Sequence, residues 1–346
     1  MKNLSFYVKI GNPNISDGYY LKEITYQKLN QIYRENINKY VLERYYNELN
    51  SIIENNFAEY YIAVYLISKK VKKDGQVMIL RGTQTSSLIT YLLEISYINP
   101  LEYNLPFETF AGIDGKKVPN FEFEFAEDYI NIIYEFAEKT LKEKNILCTK
   151  NEFFADNSIL KLNFFENNYI DLLNKLEKTT KINHNNIKIN DINICKCFSS
   201  EKNIIGFESK KAKEIIDKIQ PVTLEDLIKI ESLVKGTWKD NIEKIIGKHS
   251  LNKVLCTRDD IFLYLYEKGI EKRVAFEISE FIGKGKINKN KSKWNEYKTI
   301  MKRVLIEDLY LESFEKIMYL FPKSHCITYV IFNLWLFWYE MNYPKL

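Results

Sequence analysis

Residues 117–125 read KVPNFEFEF, a proline followed by strict alternation of apolar and polar side chains. Alternation at period two is the mark of an extended strand with two unlike faces. Phe121, Phe123 and Phe125 then point one way, and Asn120, Glu122 and Glu124 the other. A row of polar groups about two residues apart, raised on a β platform, is how several nucleotidyl-transfer enzymes hold a pair of metal ions. The first polar position is an amide, so three readings stay open: a metal platform, the solvated face of an ordinary sheet, or a platform that has lost its metals.

The surrounding chain supports a mixed fold. Residues 20–68 carry Tyr26, Leu29, Tyr33, Tyr40, Leu42, Tyr45, Leu49 and Ile52 at helical spacing, which predicts two or three packed helices ending at a turn at Asp74-Gly75. A short strand QVMIL, the loop RGTQTSS and a helix from about Ser87 to Ile95 follow. After KVPNFEFEF come a helix with early acids and late lysines, a second strand SILKLNFF and another helix. Beyond about residue 205 the strands vanish. Thr223 with Asp226 and Thr257 with Asp260 read as helix caps, and Gly236, Gly247, Gly269 and Gly283 as helix stops. The expected organisation is an N-terminal helical segment over 1–75, an α/β domain over 76–205 and an all-helical domain over 206–346.

Composition removes several classes. The chain has 346 residues, 46% hydrophobic and 28% charged, as in folded globular proteins. A net charge of +4 is too small to prove nucleic-acid binding by itself, so local clusters matter more. Cys148, Cys195, Cys197, Cys256 and Cys326 form no CxxC pair, and histidines number three, which argues against zinc and for a reduced, cytoplasmic protein. The N-terminus lacks the apolar core of a signal peptide. Asn333 and Glu340 interrupt the apolar run 326–343, making it a buried helix and not a membrane span.

Four stretches suit anions. In RGTQTSS, Arg81 supplies charge, Gly82 permits close backbone approach, and Ser86 and Ser87 open a helix N-terminus, the arrangement of a phosphate loop. Arg258 sits in the first turn of a helix, where a cation opposes the dipole; it either pairs with Asp259 or Asp260 or faces an anion. FPKSH places Lys323 and His325 before the apolar helix, with Ser324 as the cap. GKGKINKNKSK is basic and glycine-punctuated, so Lys284, Lys286 and Lys289 are either a grip on a nucleic-acid backbone or a solvated loop.

These stretches line up with one family. LRGTQTSSLITYLLEISYINPL, LPFETFAGIDGKKVPNFEFEF, SILKLNFF, TLEDLIKIESLVKGTW, CTRDDIFLYLYEKGIEKRVAFEISEFIGKGK and MYLFPKSHCITYVIFNLWLFWYEMNYPKL resemble, in order, the PolC-type α subunit of bacterial DNA polymerase III. The resemblance covers roughly residues 20–346 and is loose over 140–210. It implies an α+β fold: a small palm sheet of the polymerase-β nucleotidyltransferase type with flanking helices, plus an all-helical fingers domain. It also implies that Arg81, Gly82, Ser86, Ser87, Arg258, Lys323 and His325 face a nucleotide.

The resemblance breaks where the metals would sit. The family's metal-binding aspartates fall on Asn120, Glu122 and Asn163. Two Mg²⁺ ions need short anionic oxygens to bridge them; an amide offers one neutral oxygen, and a glutamate displaces its carboxylate by about 1 Å, which can cost on the order of 10²-fold in rate. The zinc insertion of the family and a glycine-rich stretch near the primer have no counterpart here, and the exonuclease, duplex-binding and clamp-binding parts are not expected either. The resulting expectation is a truncated, catalytically degenerate polymerase core, with no cofactor or a weakly bound Mg²⁺. It would bind primer–template DNA, a nucleotide or a replication protein. Two alternatives remain: a residual nucleotidyltransferase using Glu122 and Glu124 on one metal, and a protein-interaction module with no ligand.

Overall fold

The computed structural model describes residues 3–9, 15–144, 146–149, 160–189, 206–239 and 251–345. The Cys195-Lys-Cys197 pair and the helix stop at Gly247 lie outside the described residues. Contacts divide the chain into two compact units, Met1–Asn183 and His184–Leu346.

In the first unit a strand β1 (Asn3–Lys9), unforeseen in the sequence, precedes helices α1 (Ile15–Tyr33), α2 (Lys39–Glu54) and α3 (Ala58–Lys73). Then follow β2 (Ile79–Arg81), two short helices α4 (Leu88–Leu92) and α5 (Phe107–Ala111), β3 (Asn120–Phe125) and α6 (Ile130–Glu143). The strands β4 (Leu147–Thr149) and β5 (Leu160–Glu166) and the helix α7 (Asn168–Thr180) complete it. The strands form one sheet in the order β2-β3-β5-β1-β4. Among the described strands only β3 and β5 pair in parallel, in a register that sets Glu122 beside Asn163 and Phe123 beside Phe164. A parallel pair needs a long crossover, which the segment containing α6 provides.

The alternation in KVPNFEFEF is realised as a strand with one dry face. Phe121, Phe123 and Phe125 are fully buried, as are Leu162 and Phe164 of β5. Tyr60 and Tyr61 of α3 meet Phe121 edge-on at 5.4 and 5.3 Å, while Tyr134 of α6 stacks on Phe6 of β1 at 4.2 Å. Each buried phenylalanine contributes about 2 kcal/mol, and edge-to-face contact adds to it. Helices therefore cover one face of the sheet, and the polar row lies on the other.

The second unit contains α8 (Lys210–Ile219), α9 (Leu224–Lys235), α10 (Arg258–Glu267), α11 (Lys272–Gly283), α12 (Lys291–Arg303), α13 (Asp308–Lys316) and α14 (Lys323–Asn342). Strands do not vanish entirely: β6 (Thr237–Trp238) pairs with β7 (Ile317–Tyr319) as a short antiparallel ribbon. Thr223 with Asp226 and Thr257 with Asp260 each form a reciprocal capping box. Leu265, Ile278, Ile282, Trp294, Met301 and Phe314 belong to one buried core cluster. α14 is apolar nearly all round because it is buried nearly all round. Among the described residues no helix is long and apolar enough to cross a membrane.

Two glycines correct the expected helix stops. Gly283 lies inside α11, where an added Cβ would stand 2.1 Å from Cγ of Arg258. The left-handed residue that ends the helix is Gly285, at φ +64, with an added Cβ only 2.0 Å from the Met318 carbonyl oxygen. This close approach seats the basic loop after α11 against β7. Gly269, at φ +93, has open space around it. Gly285→Ala is therefore expected to lower the urea-unfolding stability by about 2–4 kcal/mol, against about 1 kcal/mol for Gly269→Ala. Equal losses would show that backbone strain alone, without the Met318 contact, decides both.

Candidate functional site

The polar face of the sheet carries a continuous chain of hydrogen bonds. Ser5 donates to Asn163 Oδ1 at 2.7 Å, and Asn163 Nδ2 donates to Asn120 Oδ1 at 3.0 Å. Asn120 Nδ2 donates to Glu122 Oε1 at 3.0 Å. Arg81 Nε then donates to Glu122 Oε2 at 3.1 Å and its Nη1 to Glu124 Oε1 at 2.9 Å. Asn167 Nδ2 closes the row on Glu124 Oε2 at 2.6 Å, while its own Oδ1 caps α7. The strand pairing sets this up: Arg81 of β2 lies directly opposite Glu122, and Ile79 opposite Glu124.

The Arg81 guanidinium also rests on the Phe165 ring, 3.9 Å from its centroid. Sandwiched between an aromatic face and two carboxylates, it is held by cation–π and charge-assisted contacts together. Glu124 is almost buried, at 6% side-chain exposure, so its partner matters most. Two carboxylates against one guanidinium leave a single formal negative charge within this trio.

The residues brought together do not fit a pair of divalent cations. Asn120 and Asn163 offer neutral oxygens already engaged in hydrogen bonds, and both carboxylates face a cation the chain itself supplies. Among the described residues, no three His, Cys, Asp or Glu side chains converge as a metal-binding group.

The loop after Arg81 is turned inward. Gly82 takes φ +78, which favours glycine, but Ser86 and Ser87 are fully buried. The N-terminus of α4 already holds an anion: Glu48 of α2 accepts from Ser87 Oγ at 2.7 Å, Leu88 N at 3.0 Å and Ile89 N at 3.1 Å. Arg44 balances Glu48 at 2.5 Å and donates to the carbonyls of Leu105 and Ser86. The protein's own carboxylate thus takes the Ser87 hydroxyl expected to meet a phosphate, while the buried Ser86 hydroxyl has no hydrogen-bond partner among the described residues. Arg44 and Glu48 were missed in the sequence although their positions were legible. Val41, Arg44, Tyr45, Glu48, Leu49 and Ile52 share one buried helical stripe, whereas Tyr40 is 53% exposed.

In the second unit Arg258, Lys323 and Lys284 each have an acidic neighbour. Arg258 pairs with neither Asp259 nor Asp260 but with Glu280 of α11, at 3.1 Å, and lies 5.8 Å from the Tyr319 ring centroid. Asp260 is spent on its capping box, and Asp259 accepts from the backbone N–H of Lys323 at 2.7 Å. That bond caps α14 from outside, so the helix begins at Lys323 after Pro322, not at a Ser324 cap. Lys323 Nζ lies 3.3 Å from Glu225. Burial alone would lower its pKa, but Asp260, Glu225 and Asp259 together hold it above the usual lysine value. His325 is 8% exposed and stacks on Phe321 at 4.6 Å. Lys284 pairs with Glu280 at 2.5 Å. Lys286 and Lys289 are exposed, with no ion-pair partner among the described residues.

A family model for the bacterial DNA polymerase III alpha NTPase domain matches residues 19–215, more than half of the chain. The chain belongs to the bacterial DNA polymerase III alpha family. The finger-domain model of the same subunit matches residues 167–304. The DNA polymerase III PolC-type of Caldanaerobacter subterraneus subsp. tengcongensis is 24% identical over 468 residues, covering 94% of this chain and 33% of that protein. The corresponding proteins of Mycoplasma genitalium (25%; 92% of this chain, 32% of the relative) and Bacillus subtilis (22%; 94% and 32%) are similar to the same extent. The chain spans about a third of the length of these relatives. An alignment of 468 positions that takes up 94% of a 346-residue chain leaves roughly 140 positions of the relative with no counterpart here.

One buried acid of the second unit lacks a hydrogen bond among the described residues. Glu231 of α9 is 1% exposed, and among the described residues neither carboxylate oxygen has a hydrogen-bond partner; Lys235 stands 3.8 Å away, close enough for an ion pair but beyond hydrogen-bond reach. Burial, only partly offset by Lys235, pushes its pKa up to about 7. A folded pKa above the unfolded value gives stability that is fully present below about pH 4.5 and is lost as pH rises toward 7. The loss by pH 8 is on the order of 3 kcal/mol. Glu231→Gln should remove this slope, raising stability at pH 8 far more than at pH 4.5 in parallel denaturant titrations. An unchanged pH profile would mean the carboxylate finds a partner in solution.

Proposed function

We propose that this chain is a polymerase-derived core that binds DNA without efficient two-metal polymerisation, acting as a decoy, inhibitor or accessory factor in replication. The observation that carries the reading is the Arg81 guanidinium bound to both Glu122 and Glu124. On this reading Asn120, Glu122 and Asn163 stand where the family's metal-binding aspartates belong, and Arg81 supplies the charge that cations would otherwise bring. Its site of action is then cytoplasmic.

DNA is favoured over a nucleotide as the ligand. Arg258 and Lys323 would each have to exchange an acidic partner for a triphosphate, and His325 is buried. Among the described residues Lys286 and Lys289 have no such partner to lose, and Gly285 fixes their loop. Neutralising phosphates releases counterions, so this grip weakens steeply with salt. One observation favours residual nucleotidyl transfer: Glu122 and Glu124 converge on one cation, so a single metal displacing Arg81 would meet two carboxylates.

Primer extension with Mg²⁺ or Mn²⁺ should give no incorporation above a Glu122→Ala control. Robust extension that Glu122→Ala abolishes would establish the residual enzyme instead. Binding to primer–template DNA should show a log–log salt slope that falls by about 2 in the Lys286→Ala/Lys289→Ala double variant. No DNA affinity even at low salt would leave the protein-interaction module as the better reading.

A further inference from the structure

The three N-terminal helices line a half-open cavity of about 350 Å³ that no feature of the polymerase-like sites uses. That volume is at the lower end of small-molecule sites. Tyr19 of α1 and Tyr46, Leu49 and Ile53 of α2 line it, together with Glu59 from the first turn of α3. Lys22, the cation among the lining residues, is itself exposed to water.

Glu59 is the unexplained group. It is 8% exposed, faces the cavity, and has no hydrogen-bond or ion-pair partner among the described residues. The nearby Lys144 is engaged by Asp17 at 2.9 Å. Burial, then the neighbouring Asp17, pushes the Glu59 carboxyl above the usual carboxylate range, with Lys144 only partly offsetting them. The carboxylate is largely shielded but its oxygens still reach the cavity, so a ligand bringing positive charge and N–H donors would supply the partner that the chain does not. The walls fit the rest of such a ligand. Tyrosine rings attract cations, and Tyr19 (73% exposed) and Tyr46 (39%) both line the cavity. Leu49 and Ile53 offer an apolar surface to an alkyl stem.

We propose that this cavity binds a guanidinium or primary ammonium group on a short alkyl stem, with the head group on the Glu59 carboxylate. The same chemistry comes from two sources, a free alkylamine or an arginine or lysine side chain of a partner.

Titration calorimetry of the full chain with butylguanidinium chloride tests this, with neutral butylurea as the matched control. Butylguanidinium should bind with a dissociation constant of about 1 mM and butylurea at least about tenfold more weakly. Glu59→Gln should weaken butylguanidinium about tenfold, and Tyr19→Ala, at an exposed position, several-fold with unchanged circular dichroism. If Glu59→Gln fails to fold, the butylurea comparison and Tyr19→Ala still decide. A Gly-Arg-Gly peptide binding more tightly than spermidine marks a partner side chain as the source, and the reverse order marks a free amine; either result supports the site. No binding at about 10 mM butylguanidinium, equal affinity for butylurea, or indifference to both substitutions would overturn it.

Discussion

Two carboxylates on neighbouring pleats of one strand repel each other, and where one of them is almost buried, as Glu124 is, a cation between them offsets the cost. In this protein the cation is covalently part of the chain. Arg81, from the strand antiparallel to β3, donates to Glu122 and Glu124 and lies on Phe165. Everything else on that face follows from the fork. Asn120 and Asn163 relay hydrogen bonds from Ser5 to one oxygen of Glu122, and Asn167 takes the outer oxygen of Glu124. A guanidinium fixes two acceptors in one plane at about 3 Å, whereas divalent ions need several oxygens around each centre. The two arrangements compete for the same carboxylates.

The same internal satisfaction recurs at the N-terminus of α4. The amides that could have cradled a phosphate close on Glu48, itself neutralised by Arg44. In the helical unit, Arg258 is drawn to Glu280 and Lys323 toward Glu225. Anion-seeking groups of the family-like sites are thus largely occupied by the chain's own acids. The exceptions are instructive: Lys286 and Lys289 at the surface, and Glu59, a buried acid with the opposite need.

Much of the fold was legible in local pattern. KVPNFEFEF announced both its strand and its dry face, and the Thr223 and Thr257 caps were readable from side-chain spacing. Two things were not. The parallel pairing of β3 with β5, and the entry of β1 beside β5, are long-range choices that no local period encodes. Nor could the sequence give the destination of Arg81, Arg258 or Ser87, because each depends on an acid more than twenty residues away. Glu48 was different: its place on the stripe with Val41, Tyr45 and Ile52 marked it as buried, hence in need of Arg44. Tyr40 misled because tyrosine is at home on either side of a surface.

Competition between the Arg81 fork and metal can be measured directly by electron paramagnetic resonance of free Mn²⁺ titrated with protein. The native chain should leave Mn²⁺ free at concentrations up to about 1 mM, while Arg81→Ala should take up the ion, and Arg81→Ala/Glu122→Gln should lose it again. Two Mn²⁺ ions bound by the native chain, competed by Mg²⁺ and released by Glu122→Gln, would contradict the account.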